Sequence, residues 1–113
     1  MDENMKIVAS RVCVWDVDPL IFEGKRYEEV VNAKRLGMSQ RTGVMAISDI
    51  EANKRIALVK IYEVPLDPEM EEDVQDVFFT DFELNAERRE IFIRNERKKE
   101  FVFSIDTAEV RAL

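Results

Sequence analysis

Apolar and polar residues alternate at a spacing of about two through most of this chain, and this pattern constrains the fold more than any other feature. Successive side chains of an extended strand point to opposite faces, so the alternation predicts strands that each cover one side of a core. The predicted strands recur at regular intervals along the 113 residues. They favour a single domain over residues 1–113, built as an antiparallel β-sandwich or open barrel with one short helix.

The spacing predicts six strands and a closing extended segment. The first strand runs from Met5 to Val17, is apolar on both faces, and carries Cys13 and Trp15 as expected core residues. The other extended segments are Gly43–Ser48, Arg55–Val64, Val77–Leu84, Glu90–Asn95, Glu100–Ile105 and Glu109–Leu113.

The phase of each strand predicts which side chains share a face. In the third strand one face is expected to carry Ile56, Leu58 and Tyr62. In the fourth strand the inward set is expected to be Phe78, Phe82 and Leu84 beside Thr80, with Asp81 and Glu83 outward. In the last hairpin we expect Ile91 and Ile93 to oppose Phe101, Phe103 and Ile105. The principal buried residues are predicted to be Trp15, Leu58, Phe82 and Phe103.

One short helix is predicted after the first strand, over Tyr27 to Arg35. Its apolar stripe at helical spacing consists of Tyr27, Val30, Val31 and the stem of Lys34. Acidic residues lie in its first turn and basic residues in its last, which suits the helix dipole. Gly37 then stands where a left-handed residue closes a helix.

The composition excludes most enzyme classes. The chain has no histidine and a single cysteine, which removes the commonest general base, the usual metal ligands and any intrachain disulfide. Hydrolysis by a carboxylate pair, such as Asp73 with Asp76 or Asp81 with Glu83, would need one buried carboxyl of raised pKa. Their hydrophilic surroundings do not favour burial, so we expect no catalytic residue, no metal and no other cofactor.

No apolar run approaches the length of a membrane helix, and no signal peptide is recognisable at the N-terminus. The sequence therefore predicts a cytoplasmic protein with no membrane association.

Charge is unevenly distributed along the chain, which carries 24 acidic and 17 basic residues and a net charge of −7. The segment Ile61–Glu87 contains ten acidic residues and no Lys or Arg, while the remainder is slightly positive. Such a segment is either a solvated loop or a surface that meets a cationic partner. The candidate partner-binding residues are Glu63, Asp67, Glu69, Glu71, Glu72, Asp73, Asp76, Asp81 and Glu83.

A second charged feature is basic and lies around Phe92. It comprises Arg88, Arg89, Arg94, Arg97, Lys98 and Lys99. Basic residues with an interleaved aromatic are found in nucleic-acid-binding patches, but charged turns also protect sheet edges from pairing. The net negative charge and the absence of RNA-binding signatures favour the charged turn, so we expect no direct nucleic-acid binding.

The segment Gly37-Met38-Ser39-Gln40-Arg41-Thr42-Gly43-Val44 places a glycine at a helix end, an arginine two residues before a second glycine, and then a strand. With the order of elements around it, from the Met5–Val17 strand to the closing Ile105–Leu113 segment, it resembles the competence protein J (ComJ) family, inhibitors of a DNA-entry nuclease. Met38 and Gln40 replace aromatic residues of that family's pattern, and Thr42 replaces a proline. The resemblance implies a nuclease inhibitor.

Two classes of function remain open. The first is a small acidic inhibitor or immunity protein that blocks a basic nuclease or other nucleic-acid enzyme, with carboxylates occupying the site that meets phosphates. A phage counter-defence protein that mimics the charge of DNA is a variant of it. The alternative is a phage-type structural or assembly protein, a β-sandwich subunit or homo-oligomer that uses its carboxylates for solubility.

Overall fold

Two four-stranded antiparallel sheets make up the computed structural model, which describes residues 17–113. The first sheet contains β1 (Leu20–Phe22), β2 (Lys25–Glu29), β3 (Val44–Asp49) and β4 (Lys54–Lys60). The second contains β5 (Phe79–Asn85), β6 (Glu90–Asn95), β7 (Glu100–Ser104) and β8 (Val110–Ala112). Every strand pairs with its neighbour in sequence, so each sheet is a meander. The predicted mainly β, antiparallel class is confirmed.

The two sheets share one hydrophobic core, as in a β-sandwich. The core residues on strands are Tyr27, Met45, Ile47, Phe79, Phe82, Ile91, Ile93 and Phe103. The segment that crosses from one sheet to the other adds Ile61, Tyr62, Val64 and Val77. Both ends of this crossing segment are buried in the core. The segment therefore links the two sheets by side-chain packing as well as by the covalent chain.

β3 is the most thoroughly covered strand of the first sheet. Its residues from Val44 to Ser48 are all buried, which accounts for their nearly continuous apolar sequence. β2 and β4 flank it on either side, with Tyr27 opposite Ile47 and Val59 opposite Met45. The predicted strand Gly43–Ser48 is therefore confirmed, and the structure places it in the interior of the first sheet.

The predicted helix over Tyr27 to Arg35 is wrong. Tyr27 lies on β2, where its ring is 2% exposed in the shared core, and Val31 is 54% exposed. Pairing of β2 with β3 buries Tyr27 more completely than an isolated helical stripe would, so tertiary packing overrides the local pattern. Only a short 3₁₀ turn, Ala33–Leu36, remains helical at this point. The described residues contain no helix long and apolar enough to cross a membrane.

The predicted left-handed, closing role of Gly37 is confirmed, although it closes a 3₁₀ turn and not a longer helix. Gly37 has a φ of 94° and its N–H donates to the carbonyl of Lys34 at 3.2 Å. The following N–H, from Met38, donates to the carbonyl of Ala33 at 3.1 Å. Gly37 thus closes the 3₁₀ turn with the left-handed geometry that glycine adopts without steric cost.

The prediction that Leu58 of β4 is buried is wrong. Ala57, Leu58 and Val59 are all half-buried, but Ala57 and Val59 pack against the core and Leu58 does not, while Ile56 is 50% exposed. The pairing register shifts between Ile47 and Ser48, and β4 ends at Lys60. Alternation cannot be extended past these two breaks, which is why Tyr62 reaches the core although it shares the parity of Leu58.

In β5 an extra residue changes the inward set. Phe79 opposes Asn95 and Asp81 opposes Arg94, so Thr80 is a bulge between them. As a result Phe79 joins Phe82 and Leu84 at the core, while Phe78 is buried outside that cluster. The outward positions of Asp81 and Glu83 agree with the prediction.

The last hairpin forms as predicted. Ile91 lies opposite Phe103 and Ile93 lies opposite Phe101. The closing segment pairs with β7 as the short strand β8. The predicted first strand, with Cys13 and Trp15, lies outside the described residues except for Val17, which packs against the core.

Truncation of Phe82 tests the core assignment. Phe82 is 7% exposed and its ring centroid lies 5.5 Å from that of Phe79. We expect Phe82→Ala to lower the free energy of unfolding by about 3–5 kcal/mol through lost burial and a residual cavity. Ile21→Ala, at a position 57% exposed, should lower it by no more than about 0.5 kcal/mol. Urea denaturation measures both, and equal midpoints for the two variants would contradict the packing described.

Candidate functional site

The acidic segment Ile61–Glu87 forms the crossing between the two sheets and then continues as β5. Its buried residues anchor the crossing at Tyr62 and Val64 on one side and at Val77 on the other. Between these anchors residues 67–75 form an exposed loop that ends in a second 3₁₀ turn, Asp73–Gln75. This loop, called the acidic loop below, is the most prominent acidic feature of the surface.

One amide side chain organises the acidic loop. The Gln75 Nε2 donates to the carbonyls of Asp67 at 3.1 Å, Glu71 at 3.2 Å and Met70 at 3.4 Å. The Gln75 Oε1 accepts from the N–H of Asp67 at 2.7 Å. Asp67 adds a local bond, because its Oδ1 accepts from the N–H of Glu69 at 2.9 Å. The side chain of Gln75 therefore lies inside the loop, and its hydrogen bonds to three loop residues hold the loop backbone in one arrangement.

Cations from outside the segment neutralise part of its charge. Lys60 pairs with Glu63 at 2.5 Å, Lys34 with Glu72 at 2.8 Å, and Arg94 with Asp81 at 3.3 Å. These groups are partly exposed, so each pair contributes little to stability by itself. Their main effect is on the electrostatic potential at the surface. Because these three of the ten carboxylates are paired with cations, this potential is less negative than the number of acidic residues implies.

Asp76 is removed from the surface altogether. Its side chain is 1% exposed and its two oxygens accept from Arg41 Nε at 2.9 Å and Nη2 at 3.2 Å. A bidentate pair of this kind orients the planar guanidinium and fixes the spacing of the two segments that carry it. Asp76 thus connects the end of the acidic loop to the segment before β3 and is not accessible to a partner.

The carboxylates left for a partner lie at the tip of the acidic loop. Glu69 and Glu71 are exposed, and neither forms an ion pair with any Lys or Arg within residues 17–113. Met70, between them, is 50% exposed and Val74 is 48% exposed. The acidic loop therefore presents two apolar side chains among negative charges, and protein interfaces likewise combine an apolar centre with a polar rim.

The other predicted residues are spread more widely. Glu83 is exposed on the outer face of β5, away from the acidic loop, and Asp67 uses its side chain within the loop. Asp73 begins the second 3₁₀ turn, and its side chain is outside the described part of the structure. Sequence reasoning missed Met70 and Val74, although an apolar residue flanked by glutamates in a predicted loop was a usable signal.

The segment that resembles the ComJ family is mostly internal. Gln40 is 3% exposed and its Nε2 donates to the carbonyls of Thr42 at 2.7 Å and Tyr62 at 2.8 Å. Thr42 is fully buried, and its Oγ1 accepts from the N–H of Val77 at 3.0 Å. Together with Arg41 and Asp76 these contacts fasten the segment before β3 to both ends of the crossing. Their role in this fold is structural.

The basic residues predicted as a charged turn do not form one patch. Arg89 lies at one end of the second sheet, where it pairs with Glu23 and Asp106. Arg94 lies near the end of β6 between Asp81 and Glu100, and its pKa is raised by the hydrogen bond to Glu100. The turn of Arg97, Lys98 and Lys99 follows β6 at this same end, opposite to the end that carries Arg89. A continuous basic surface for nucleic acid is therefore not found within the described residues.

Within residues 17–113 no three acidic or cysteine side chains are grouped closely enough to hold a metal ion. Comparisons with protein-family models, curated proteins and solved structures found no match to this chain.

Glycine substitutions test the junction next to β3. Gly43 has a φ of 82°, and a Cβ placed there would lie 2.7 Å from the carbonyl oxygen of Tyr62. Gly24 has a φ of 80° with no atom within 4 Å of such a Cβ. We expect Gly24→Ala to lower the free energy of unfolding by about 1–2 kcal/mol, the cost of the left-handed backbone. Gly43→Ala has the same backbone cost and in addition pushes the crossing segment away at Tyr62. It should therefore lower the free energy of unfolding by about 3 kcal/mol or more. Equal losses in thermal or urea unfolding would contradict the close approach.

The tyrosines give a pH-dependent test. Burial raises the pKa of Tyr62 well above 10, with Glu29 and Glu96 adding to the effect, and the hydroxyl donates to the carbonyl of Val77 at 2.5 Å. The native state therefore favours the neutral phenol, so stability is retained below the unfolded pKa of about 10 and declines as the pH rises above it. In Tyr27→Phe, where Tyr62 is the one remaining tyrosine, absorbance at 295 nm should show no tyrosinate between pH 9 and 11. Ionisation near pH 10 in folded protein would contradict the burial.

Proposed function

We propose that this protein is a small acidic inhibitor or immunity protein that binds a basic protein, a nuclease or other nucleic-acid enzyme, through its acidic loop. The observation that carries the proposal is the tip of the loop. There Glu69 and Glu71, without ion pairs among the described residues, flank the exposed Met70 on a backbone held by Gln75.

The order of the loop favours tight binding. A flexible acidic loop would lose conformational freedom on association, whereas one closed by the Gln75 amide carries less of that cost. Met70 and Val74 supply apolar area that a partner can desolvate, which is where most binding energy resides. The surrounding carboxylates orient the partner as it approaches and raise the association rate.

Charge complementarity defines the partner. Enzymes that act on nucleic acids carry basic surfaces that meet phosphates, and a rigid set of carboxylates competes for the same cations. With a net charge of −7, this chain is repelled by nucleic acid and attracted to such surfaces. Inhibition then results from occupation of the phosphate-binding site, and it requires no catalytic group.

The structural or assembly alternative is favoured by a different observation. Ile21 on β1 is 57% exposed and Leu113 after β8 is 62% exposed, and these two strands end their sheets within the described residues. Exposed apolar residues at sheet edges suit pairing with another copy. Light scattering after gel filtration separates the hypotheses, because a stable oligomer of the purified chain supports the alternative.

The test of the inhibitor proposal compares two double charge reversals. Glu69→Lys with Glu71→Lys changes the loop tip, whereas Glu51→Lys with Glu109→Lys makes the same change in net charge at exposed positions outside the acidic loop. Each variant and the wild type are used to capture the partner from the source cells. The captured protein is then purified and assayed for DNA and RNA cleavage with and without the inhibitor.

We expect a basic nucleic-acid enzyme whose cleavage is inhibited by the wild type. The loop variant should associate at least about tenfold more slowly at low salt, with the difference shrinking as salt screens the encounter. The matched control should associate nearly as fast as the wild type. Equal association rates for the two variants would show that only net charge matters, and the acidic loop would then lose its assigned role.

A further inference from the structure

A cavity of about 270 Å³ opens between the two sheets at the end where several of their turns meet. Arg89 marks this end, because it pairs with Glu23 of the β1–β2 turn at 2.6 Å and with Asp106 of the β7–β8 turn at 2.7 Å. We name this space the turn-end cavity. Its apolar lining comes from both layers and consists of Phe22, Tyr27, Ile47, Ile56, Phe103 and Ile105.

The apolar walls of the turn-end cavity leave surface for a ligand. Tyr27 and Phe103 form a buried pair of rings with centroids 6.5 Å apart. Ile56, in contrast, is 50% exposed although it lines the same space. Covering such a side chain is favourable in proportion to the apolar area removed from water. The volume is just below the usual range for small-molecule pockets, so the ligand must be small.

Two polar groups of the cavity, on Tyr27 and Lys25, have no hydrogen-bond or ion-pair partner among residues 17–113. The hydroxyl of Tyr27 is not fully enclosed, because Asn32 Oδ1 is the one completely buried side-chain atom without a partner in this part of the chain, so the hydroxyl can reach a ligand in the cavity. Lys25 lies two residues earlier on the same face of β2 and forms no ion pair with any acid between residues 17 and 113. Arg89 differs from both, since Glu23 and Asp106 occupy it.

The protonation of Tyr27 suits a donor role. Burial raises the pKa of Tyr27, and the negative charge of Glu23 raises it further, against a smaller opposing effect of Arg89. The phenol is therefore neutral at physiological pH and can donate one hydrogen bond. The ammonium of Lys25 and the phenol of Tyr27 lie on one face of the same strand, and both are hydrogen-bond donors. A carboxylate can accept a hydrogen bond from each of them.

We propose that the turn-end cavity binds a small carboxylic acid with an apolar tail. The tail lies against Ile47 and Phe103, and the carboxylate accepts hydrogen bonds from the ammonium of Lys25 and the hydroxyl of Tyr27. This site does not depend on the proposed inhibitor function, because the acidic loop extends from the opposite end of the sheets, beyond the pairing of Val44 with Lys60.

Amide NMR spectra of the full chain test the proposal with three probes. Sodium octanoate carries both the tail and the charge, 1-octanol carries the tail alone, and sodium acetate carries the head alone. We expect octanoate to shift the amides of Tyr27 and Phe103 saturably, octanol to bind about tenfold more weakly, and acetate to cause no saturable shift. No saturable shift with octanoate, or equal affinity for octanol, overturns the proposal.

Three conservative variants assign the head group. Lys25→Gln should weaken octanoate binding about tenfold and Tyr27→Phe roughly fivefold, because each removes one hydrogen bond to the carboxylate while leaving the apolar walls. Lys98→Gln makes the same change in charge at the opposite end of the second sheet and should leave binding unchanged. Spectral dispersion verifies that each variant is folded. Wild-type affinity in Lys25→Gln, or an equal loss in Lys98→Gln, would refute the assignment.

Discussion

The side-chain amide of Gln40 is the contact on which the two-layered arrangement depends most directly. It bonds the carbonyls of Thr42 and Tyr62, and so ties the segment before β3 to the start of the crossing between the sheets. Buried carbonyls left without donors carry a substantial free-energy cost, so the contact is required as well as favourable. Gly43 makes it possible, because any larger residue would meet the backbone of Tyr62. The bidentate pair of Arg41 with Asp76 continues the same connection to the other end of the crossing.

This junction has a consequence for the surface. Since the crossing is held at Tyr62 and at Asp76, the residues between them form a loop with fixed ends, and Gln75 then orders its interior. The negative charges of the loop are therefore held in fixed positions, whereas a mobile segment would spread them over a larger volume. The ion pairs to Lys34 and Lys60 neutralise its margins and leave the tip negative around Met70. An ordered anionic tip with an apolar centre is the feature that favours an interface with a basic protein over a merely solvated loop.

The sequence predicted best where local and tertiary preferences agree. The hairpin of Ile91 and Phe103, the buried β3 and the closing role of Gly37 all follow from alternation or from backbone geometry, and the structure confirms them. Prediction failed where one extra residue interrupts the two-residue alternation of a strand. The bulge at Thr80 exchanged Phe78 for Phe79 at the core, and the register shift between Ile47 and Ser48 interrupts the alternation of β4 at Ile56. Such interruptions arise from the fit between neighbouring strands, which no single strand encodes.

Side-chain alternation and the order of charged residues are enough to predict antiparallel strands around one core and a run of ten acidic residues with no Lys or Arg among them. Both properties follow from the order of residues alone, through side-chain period and charge. Packing between distant segments places Tyr27 on a strand, buries Asp76 against Arg41, and leaves Glu69 and Glu71 at an exposed tip. These outcomes depend on which distant segments come within a few ångströms of one another, because burial and charge pairing are properties of neighbours in space.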